Sequence, residues 1–303
     1  MQNLDYFVVD VFTTEPLAGN PLAVVMNTCG LTAPRMQAIA REFNLSETTF
    51  VERRPAAVER AEGVRVRIFT TLEELRFAGH PTLGTASVLR MTAPETVEGD
   101  LLVLALNVGP VRVRFEPGSG RTTELFAEMT QRDPEFGAEL DPEVVARLTG
   151  LAADDLDPAL PPQVVSTGTA FAIVVLRSQA ALGRLKVDHD AATAWLRERE
   201  ARWFYVLAPD HDLGQYGTNC YRARMQFYGG EDPATGSAAG CAIAYLVSRA
   251  AVASGTRVHL RQGVEIGRPS DLFLSARRES AKVTDVRVAG STVLVAKGQL
   301  FLP

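Results

Sequence analysis

The sequence contains few cysteines and no long apolar run. Its 303 residues include three cysteines, Cys29, Cys220 and Cys241. An odd count without a CxxC spacing supports neither a disulfide framework nor a zinc site. The apolar stretches PLAVVM and CAIAYLV are far shorter than the ~20 residues of a membrane-spanning helix. We therefore expect no disulfide scaffold, no metal centre and no transmembrane helix.

An excess of positive charge is also missing, because 31 Lys and Arg face 36 Asp and Glu, for a formal net charge of −5. Proteins that bind nucleic acid or a membrane surface usually carry a basic patch. The first residues, MQNLDYFVVDVF, do not show a basic segment followed by an apolar one. These features predict a cytoplasmic globular protein whose partner is a small molecule, with no nucleic-acid and no membrane partner. Neither a P-loop nor a GxSxG motif is present.

Many short strand patterns surround a few helical ones. VRVRIFT (64–70) alternates as a half-buried strand does, and LTAPRMQAIAREFN (31–44) has apolar residues at helical spacing. This ratio of strands to helices predicts an α+β fold with largely antiparallel pairing. The charged segment QRDPEFGAELDP (131–142) is predicted to be a linker between residues 1–130 and 131–303. Near the end of the chain, VTDVRVAG and STVLVAKGQLFL predict two further strands.

One short pattern occurs twice, half a chain length apart. HPTLGTA (80–86) and DPATGSA (232–238) both fit XPxxG[TS]A, follow an arginine-bearing strand and precede an apolar helix. We interpret this echo as a duplicated architecture in which His80 and Asp232 take equivalent places. Helix N-termini present backbone N–H groups, so two such starts could hold an anion such as a carboxylate.

Each of these residues also has a purely structural interpretation. Asp232 before Pro233 is typical of a helix cap. A lone His80 could be a hydrogen-bonded core histidine, and Glu47 a solvated charge at the start of a strand. The echo favours the functional interpretation of the first two. No role is assigned to the remaining histidines, which are His189, His211 and His259.

Five motifs in order, NPLAVV, AREFNLSETTFVE, ELRFAGHPTLGTA, GEDPATGSAAG and GVEIGRPS, resemble the phenazine-biosynthesis isomerase (PhzF-like) family, which is related to diaminopimelate epimerase. The resemblance runs from the first strand to GQLFLP. It implies two pseudo-symmetric α+β halves, residues 1–130 and 131–303, each a curved, mostly antiparallel sheet wrapped around a central helix. The last strand would return to the first half, and the active site would lie between the halves.

The resemblance also implies an acid/base isomerase that uses no cofactor and no metal and forms a homodimer. Its general base would be Glu47, and His80 and Asp232 would complete the proton-handling set. The type reaction isomerises trans-2,3-dihydro-3-hydroxyanthranilate, in which a proton leaves C3 and one is delivered to C1. The residues implied to bind substrate are Asn20, Ser46, Gly79, Gly236 and Ser237.

Two other functions remain open at the level of the sequence. An amino-acid epimerase or racemase needs two bases on opposite faces of one carbon. The related epimerase uses two cysteines, whereas Glu47 and Asp232 stand at those places here, which argues against a thiol mechanism only. A non-catalytic small-molecule binder is the second alternative. The presence of all three titratable groups favours an enzyme.

Overall fold

The computed structural model describes residues 2–116, 124–210, 219–227 and 230–302. The chain forms two compact units: unit 1 comprises Met1–Thr130 with Ala289–Pro303, and unit 2 comprises Gln131–Val288. The helices of unit 1 are α1 (Ala33–Phe43), α2 (Ala56–Glu62) and α3 (Gly79–Thr92). Those of unit 2 are α4 (Pro142–Thr149), α5 (Gln179–Gly183), α6 (His189–Arg197) and α7 (Gly236–Ser248).

The strands follow the same division, except that the last one has residues in both units. The first eight are β1 (Gln2–Val11), β2 (Asn20–Val25), β3 (Glu47–Glu52), β4 (Val64–Phe69), β5 (Glu74–Leu75), β6 (Leu101–Leu106), β7 (Gly109–Phe115) and β8 (Glu124–Thr130). The others are β9 (Glu135–Glu139), β10 (Gln163–Ser166), β11 (Ala170–Val175), β12 (Trp203–Pro209), β13 (Cys220–Arg224), β14 (Gln226–Phe227), β15 (Gly230–Glu231), β16 (Val258–Gln262), β17 (Ser270–Glu279) and β18 (Lys282–Leu302).

In unit 1 the strands are ordered β1-β2-β3-β4-β6-β7-β8. The pairs β2/β3 and β4/β6 are parallel, and β1/β2, β3/β4, β6/β7 and β7/β8 are antiparallel. The later part of β18 pairs antiparallel with the other edge of β1. Unit 1 is therefore a mixed sheet in which antiparallel pairs predominate.

In unit 2 the order is β17-β16-β13-β12-β11-β10-β9. The pairs β11/β12 and β13/β16 are parallel, and β9/β10, β10/β11, β12/β13 and β16/β17 are antiparallel. From β10 to β17 the pairs thus alternate antiparallel and parallel, as they do from β1 to β7. In each unit one helix, α3 or α7, connects the two strands of the second parallel pair. The α+β class predicted from the sequence is confirmed.

Among the helices described, the connecting helices are the most deeply buried of their units. Residues 79–89 of α3 and 236–247 of α7 are buried. Gly84 permits the close packing of α3, since a Cβ there would lie 2.6 Å from Cδ2 of Leu22 and 2.8 Å from Cγ2 of Val11. The hydroxyls of Thr49 and Thr85 are 2.8 Å apart across the same contact. These contacts hold the start of α3 against β1, β2 and β3.

Two predicted elements are wrong. The expected linker contains β9, which pairs with β10 although all five of its residues are exposed. The two strands predicted near the end of the chain form one, β18. Its Gly290-Ser291 dipeptide is typical of a turn but remains extended, because the backbone N–H groups of Phe12 and Thr13 donate to the carbonyl of Ser291.

Candidate active site

In unit 1 the structure brings Glu47 and His80 together. Glu47 begins β3, and His80 is the second residue of α3. Oε2 of Glu47 lies 3.4 Å from Nε2 of His80, and their side chains are 16% and 4% exposed. Parallel pairing places Glu47 beside Leu22 of β2. A carboxylate and an imidazole thus share a largely dry site, an arrangement suited to moving a proton.

Asn20 holds the other side of the imidazole. Its side chain is fully buried, and its Nδ2 lies 3.1 Å from Nδ1 of His80. Burial lowers the pKa of His80 to about 3, and a hydrogen bond with the backbone of Pro21 opposes this only in part. The ring is therefore neutral at physiological pH. Asn20 contacts Nδ1, so Nε2 is the ring nitrogen that faces Glu47.

The other two predicted residues of unit 1 flank this pair. Gly79 is the first residue of α3, and the residue before it, Ala78, makes no side-chain capping bond. The first N–H groups of a helix have no acceptor within the helix, so they can bind a polar group of a substrate. Ser46 is half-buried in the bend directly before β3.

In unit 2 the structure places Asp232 four residues before α7, whose first residues are Gly236 and Ser237. Asp232 is 8% exposed, and its Oδ2 accepts a 2.6 Å hydrogen bond from the hydroxyl of Thr235. The N-cap position belongs to Thr235, which makes no side-chain capping bond. His80, by contrast, lies inside α3. The two copies of the echoed motif thus begin their helices at different positions.

Sequence reasoning missed two residues that hold this segment, Gln262 and Tyr205. Both are fully buried. Oε1 of Gln262 accepts from the hydroxyl of Tyr205 at 2.9 Å and from the backbone N–H of Thr235 at 3.1 Å. Its Nε2 donates to the backbone carbonyl of Asp232 at 2.8 Å and to the hydroxyl of Thr235 at 3.0 Å. All four hydrogen-bonding positions of the amide are used.

The surroundings of Tyr205 keep its hydroxyl protonated, so that it can donate the hydrogen bond to Gln262. Burial, followed by electrostatic interaction with Asp232, raises the pKa of Tyr205 well above its ordinary value. A signal for Gln262 existed in VHLRQ (258–262), where it follows Val258 and Leu260 on the buried face of β16. A polar residue at a core-facing position requires buried partners.

The comparisons with known proteins identify the family. The sequence profile of the PhzC-PhzF family, described as phenazine biosynthesis-like protein, matches residues 9–298. The chain belongs to this family.

Named relatives and solved structures match this chain along almost its whole length. A protein of Mesorhizobium japonicum named as an uncharacterized isomerase is 36% identical over 310 residues, with 100% of both chains covered. The trans-2,3-dihydro-3-hydroxyanthranilate isomerase of Pseudomonas aeruginosa is 35% identical over 307 residues, covering 98% of this chain and 99% of that protein. The crystal structure of a Bacillus anthracis PhzF-family protein is 26% identical, covers 100% of both chains and superimposes with a TM-score of 0.84.

Two of the remaining histidines, His259 and His189, belong to β16 and α6. His259 is buried, with Nε2 2.7 Å from Oδ1 of Asp271 and its ring stacked on Phe273. His189 begins α6, and His211 lies outside the described residues. Within the described parts of the chain, no three His, Cys, Asp or Glu side chains are placed to hold a metal ion. None of the helices described has the length and hydropathy that a membrane crossing requires.

Proposed function

We propose that the protein is a cofactor-independent acid/base isomerase of the trans-2,3-dihydro-3-hydroxyanthranilate isomerase type, acting on a small substrate that bears a carboxylate. The observation that carries the proposal is the Glu47 carboxylate beside a buried, neutral His80. The name and 35% identity of the Pseudomonas aeruginosa relative support the choice of substrate.

In this proposal Glu47 removes the proton from carbon. His80 presents Nε2–H to the carboxylate or to the substrate and takes part in the relay. Asp232 serves the same reaction from unit 2. An acid/base pair of this kind contributes roughly 10²–10⁴-fold to a reaction rate. His80 is held by Asn20, and Asp232 is held by the hydroxyl of Thr235. The orientation of both side chains is therefore set before substrate binds.

Backbone N–H groups would bind the substrate's carboxylate. Gly236 and Ser237 begin α7 and Gly79 begins α3, and each helix start carries a positive dipole end. Ser46 would add a hydroxyl next to the base. Asn20 is proposed to contact substrate as well, although its observed partner is His80.

The proposal includes two related halves built around α3 and α7, as in diaminopimelate epimerase. The shared alternation of antiparallel and parallel pairs supports it. A homodimer and a cytoplasmic location are also part of the proposal and rest on the family resemblance. Sedimentation of the purified protein would test the dimer.

The test is proton NMR in D₂O with trans-2,3-dihydro-3-hydroxyanthranilate and a panel of amino acids. We expect isomerisation with deuterium incorporation, and a loss of at least about 10²-fold in kcat for Glu47→Gln. Glu52→Gln is the matched control, because Glu52 ends the same strand and pairs only loosely with Arg65, at 3.9 Å. It should leave the rate unchanged.

The alternatives give different results in the same experiment. Exchange at the α-carbon of an amino acid with loss of optical activity would identify an epimerase or racemase. Binding of panel compounds without exchange on any of them would contradict the isomerase proposal and favour a non-catalytic binder.

A further inference from the structure

The orientation of the Gln262 side-chain amide is determined by its neighbours. The backbone N–H of Thr235 can only donate, so the amide atom 3.1 Å from it must be the oxygen. The hydroxyl of Tyr205, kept protonated by its surroundings, donates to the same oxygen. The amide nitrogen must therefore face the hydroxyl of Thr235 and the carbonyl of Asp232.

This orientation fixes the next hydrogen bond as well. The Thr235 hydroxyl must accept from Nε2 of Gln262, which is a donor only. Its single proton is then directed to Oδ2 of Asp232, 2.6 Å away. Every bond from Tyr205 to Asp232 thus has one direction, and all of its polar members are buried.

The backbone next to Gln262 reinforces the contact. Gly263 has a φ of +77°, and a Cβ there would lie 2.6 Å from the carbonyl oxygen of Pro233 and 2.3 Å from that of Arg268. Only glycine allows the end of β16 to lie this close to the echoed motif. The segment that carries Asp232 is held both by the amide and by this backbone contact.

We infer that Gln262 is a positioning residue for Asp232: through Thr235 it directs a hydroxyl proton onto Oδ2 and so holds that oxygen as an acceptor. Any proton that Asp232 takes up or releases during turnover then uses Oδ1. The inference rests on the proposed function for its catalytic consequence, but the direction of the hydrogen bonds does not depend on that function.

Kinetics of three variants test the catalytic consequence. Thr235→Val removes the hydroxyl at nearly constant volume, and Gln262→Met removes the amide. We expect each to lower kcat by about 10- to 100-fold, with KM changed less than kcat, because the carboxylate is misoriented and not absent. Thr235→Ser retains the hydroxyl and should restore kcat to within about threefold of the wild type. If the role of Thr235 were only structural, the Thr235→Ser and Thr235→Val variants would have similar kcat values.

Gln163→Glu is the matched control, since Gln163 lies on β10 of the same unit and its amide bonds to Gly137 and Arg249, apart from the proposed site. Thermal unfolding of each variant separates misfolding from misorientation. Full kcat in both Thr235→Val and Gln262→Met would overturn the inference, as would a rise in KM alone.

Neutron diffraction of the deuterated wild-type protein tests the direction of the hydrogen bonds without reference to activity. The expected result is a deuterium on Oγ1 of Thr235 that points to Oδ2 of Asp232. A deuterium bonded to Oδ2 would contradict the inference. If the wild-type protein isomerises no compound of the panel, the proposed function fails while the neutron map still decides the inference.

Discussion

At the scale of the residue, His80 couples folding to acidity. Its pKa is lowered to about 3 in the folded protein but is about 6.5 in an unfolded chain. Between these values the unfolded chain binds a proton that the folded protein does not. The contribution of His80 to the free energy of unfolding is therefore fully present above pH 6.5 and is lost as the pH falls toward 3. Its slope approaches about 1.4 kcal/mol per pH unit.

We predict that His80→Asn removes this part of the pH dependence. The free energy of unfolding, measured with urea at pH 7.5, 6 and 5, should fall less steeply with decreasing pH than in the wild type. His189→Asn, at the half-buried start of α6, is the matched control for the substitution itself. Equal slopes in the wild type and in His80→Asn would show that the ring is not held neutral.

The sequence singles out three titratable residues but not the buried side chains beside them. Glu47, His80 and Asp232 stand in motifs whose local pattern is distinctive. Gln262 and Tyr205 act on Asp232 through contacts between strands that are far apart in the chain, so no local spacing encodes them. The resemblance implies that Asn20 contacts substrate, and the structure adds a contact of its amide with His80 that the sequence does not predict. The pairing of side chains depends on tertiary packing, which one sequence does not display.

At the scale of the element, the packing of α3 depends on one glycine. A methyl group at position 84 would meet the side chains of Leu22 and Val11 in a fully buried contact. We predict that Gly84→Ala lowers the free energy of unfolding by about 1–3 kcal/mol, since overpacking outweighs the gain in helix propensity.

The control is Gly183→Ala in α5, where a Cβ would meet no atom within 4 Å. It should change stability by less than about 1 kcal/mol, in the stabilising direction. Urea denaturation of both variants measures the difference. A Gly84→Ala variant as stable as Gly183→Ala would mean that α3 can move away from β1 and β2 without cost.

Elements with local periodicity were predicted well, and those without it were not. VRVRIFT became β4 and the apolar spacing of residues 31–44 became α1, because one face of each is buried. β9 has no buried face, so it shows no alternation, and its partner β10 determines its conformation. β18 contains a Gly-Ser pair whose extended form depends on bonds to residues almost a whole chain length away.

At the scale of the whole molecule, unit 1 is built from two separate parts of the chain. Its residues 289–302 pair with β1 along the entire length of that strand. We predict that a chain ending at Val288 loses hydrogen-exchange protection in residues 2–116, because β1 becomes an edge strand paired only with β2 and core residues such as Val293 are absent. Residues 131–210 should keep theirs, since unit 2 retains all its strands from β9 to β17.

Exchange measured by mass spectrometry on peptides from both units tests this. Phe301→Ala is the control, because that side chain is 70% exposed on the same strand and should leave protection unchanged. Uniform loss of protection in both units would show that they unfold as one cooperative body.

The long strand β18 also has a consequence for biosynthesis. Unit 2 is one continuous stretch of chain, whereas β1 precedes it and the partner of β1 in β18 follows it. On a ribosome adding roughly 5–20 residues per second, unit 2 can complete its sheet while β1 still waits for residues 289–302. Until residues 289–302 are added, one edge of β1 therefore lacks its partner strand while the other can pair with β2, and a chaperone that shields open sheet edges could bind there.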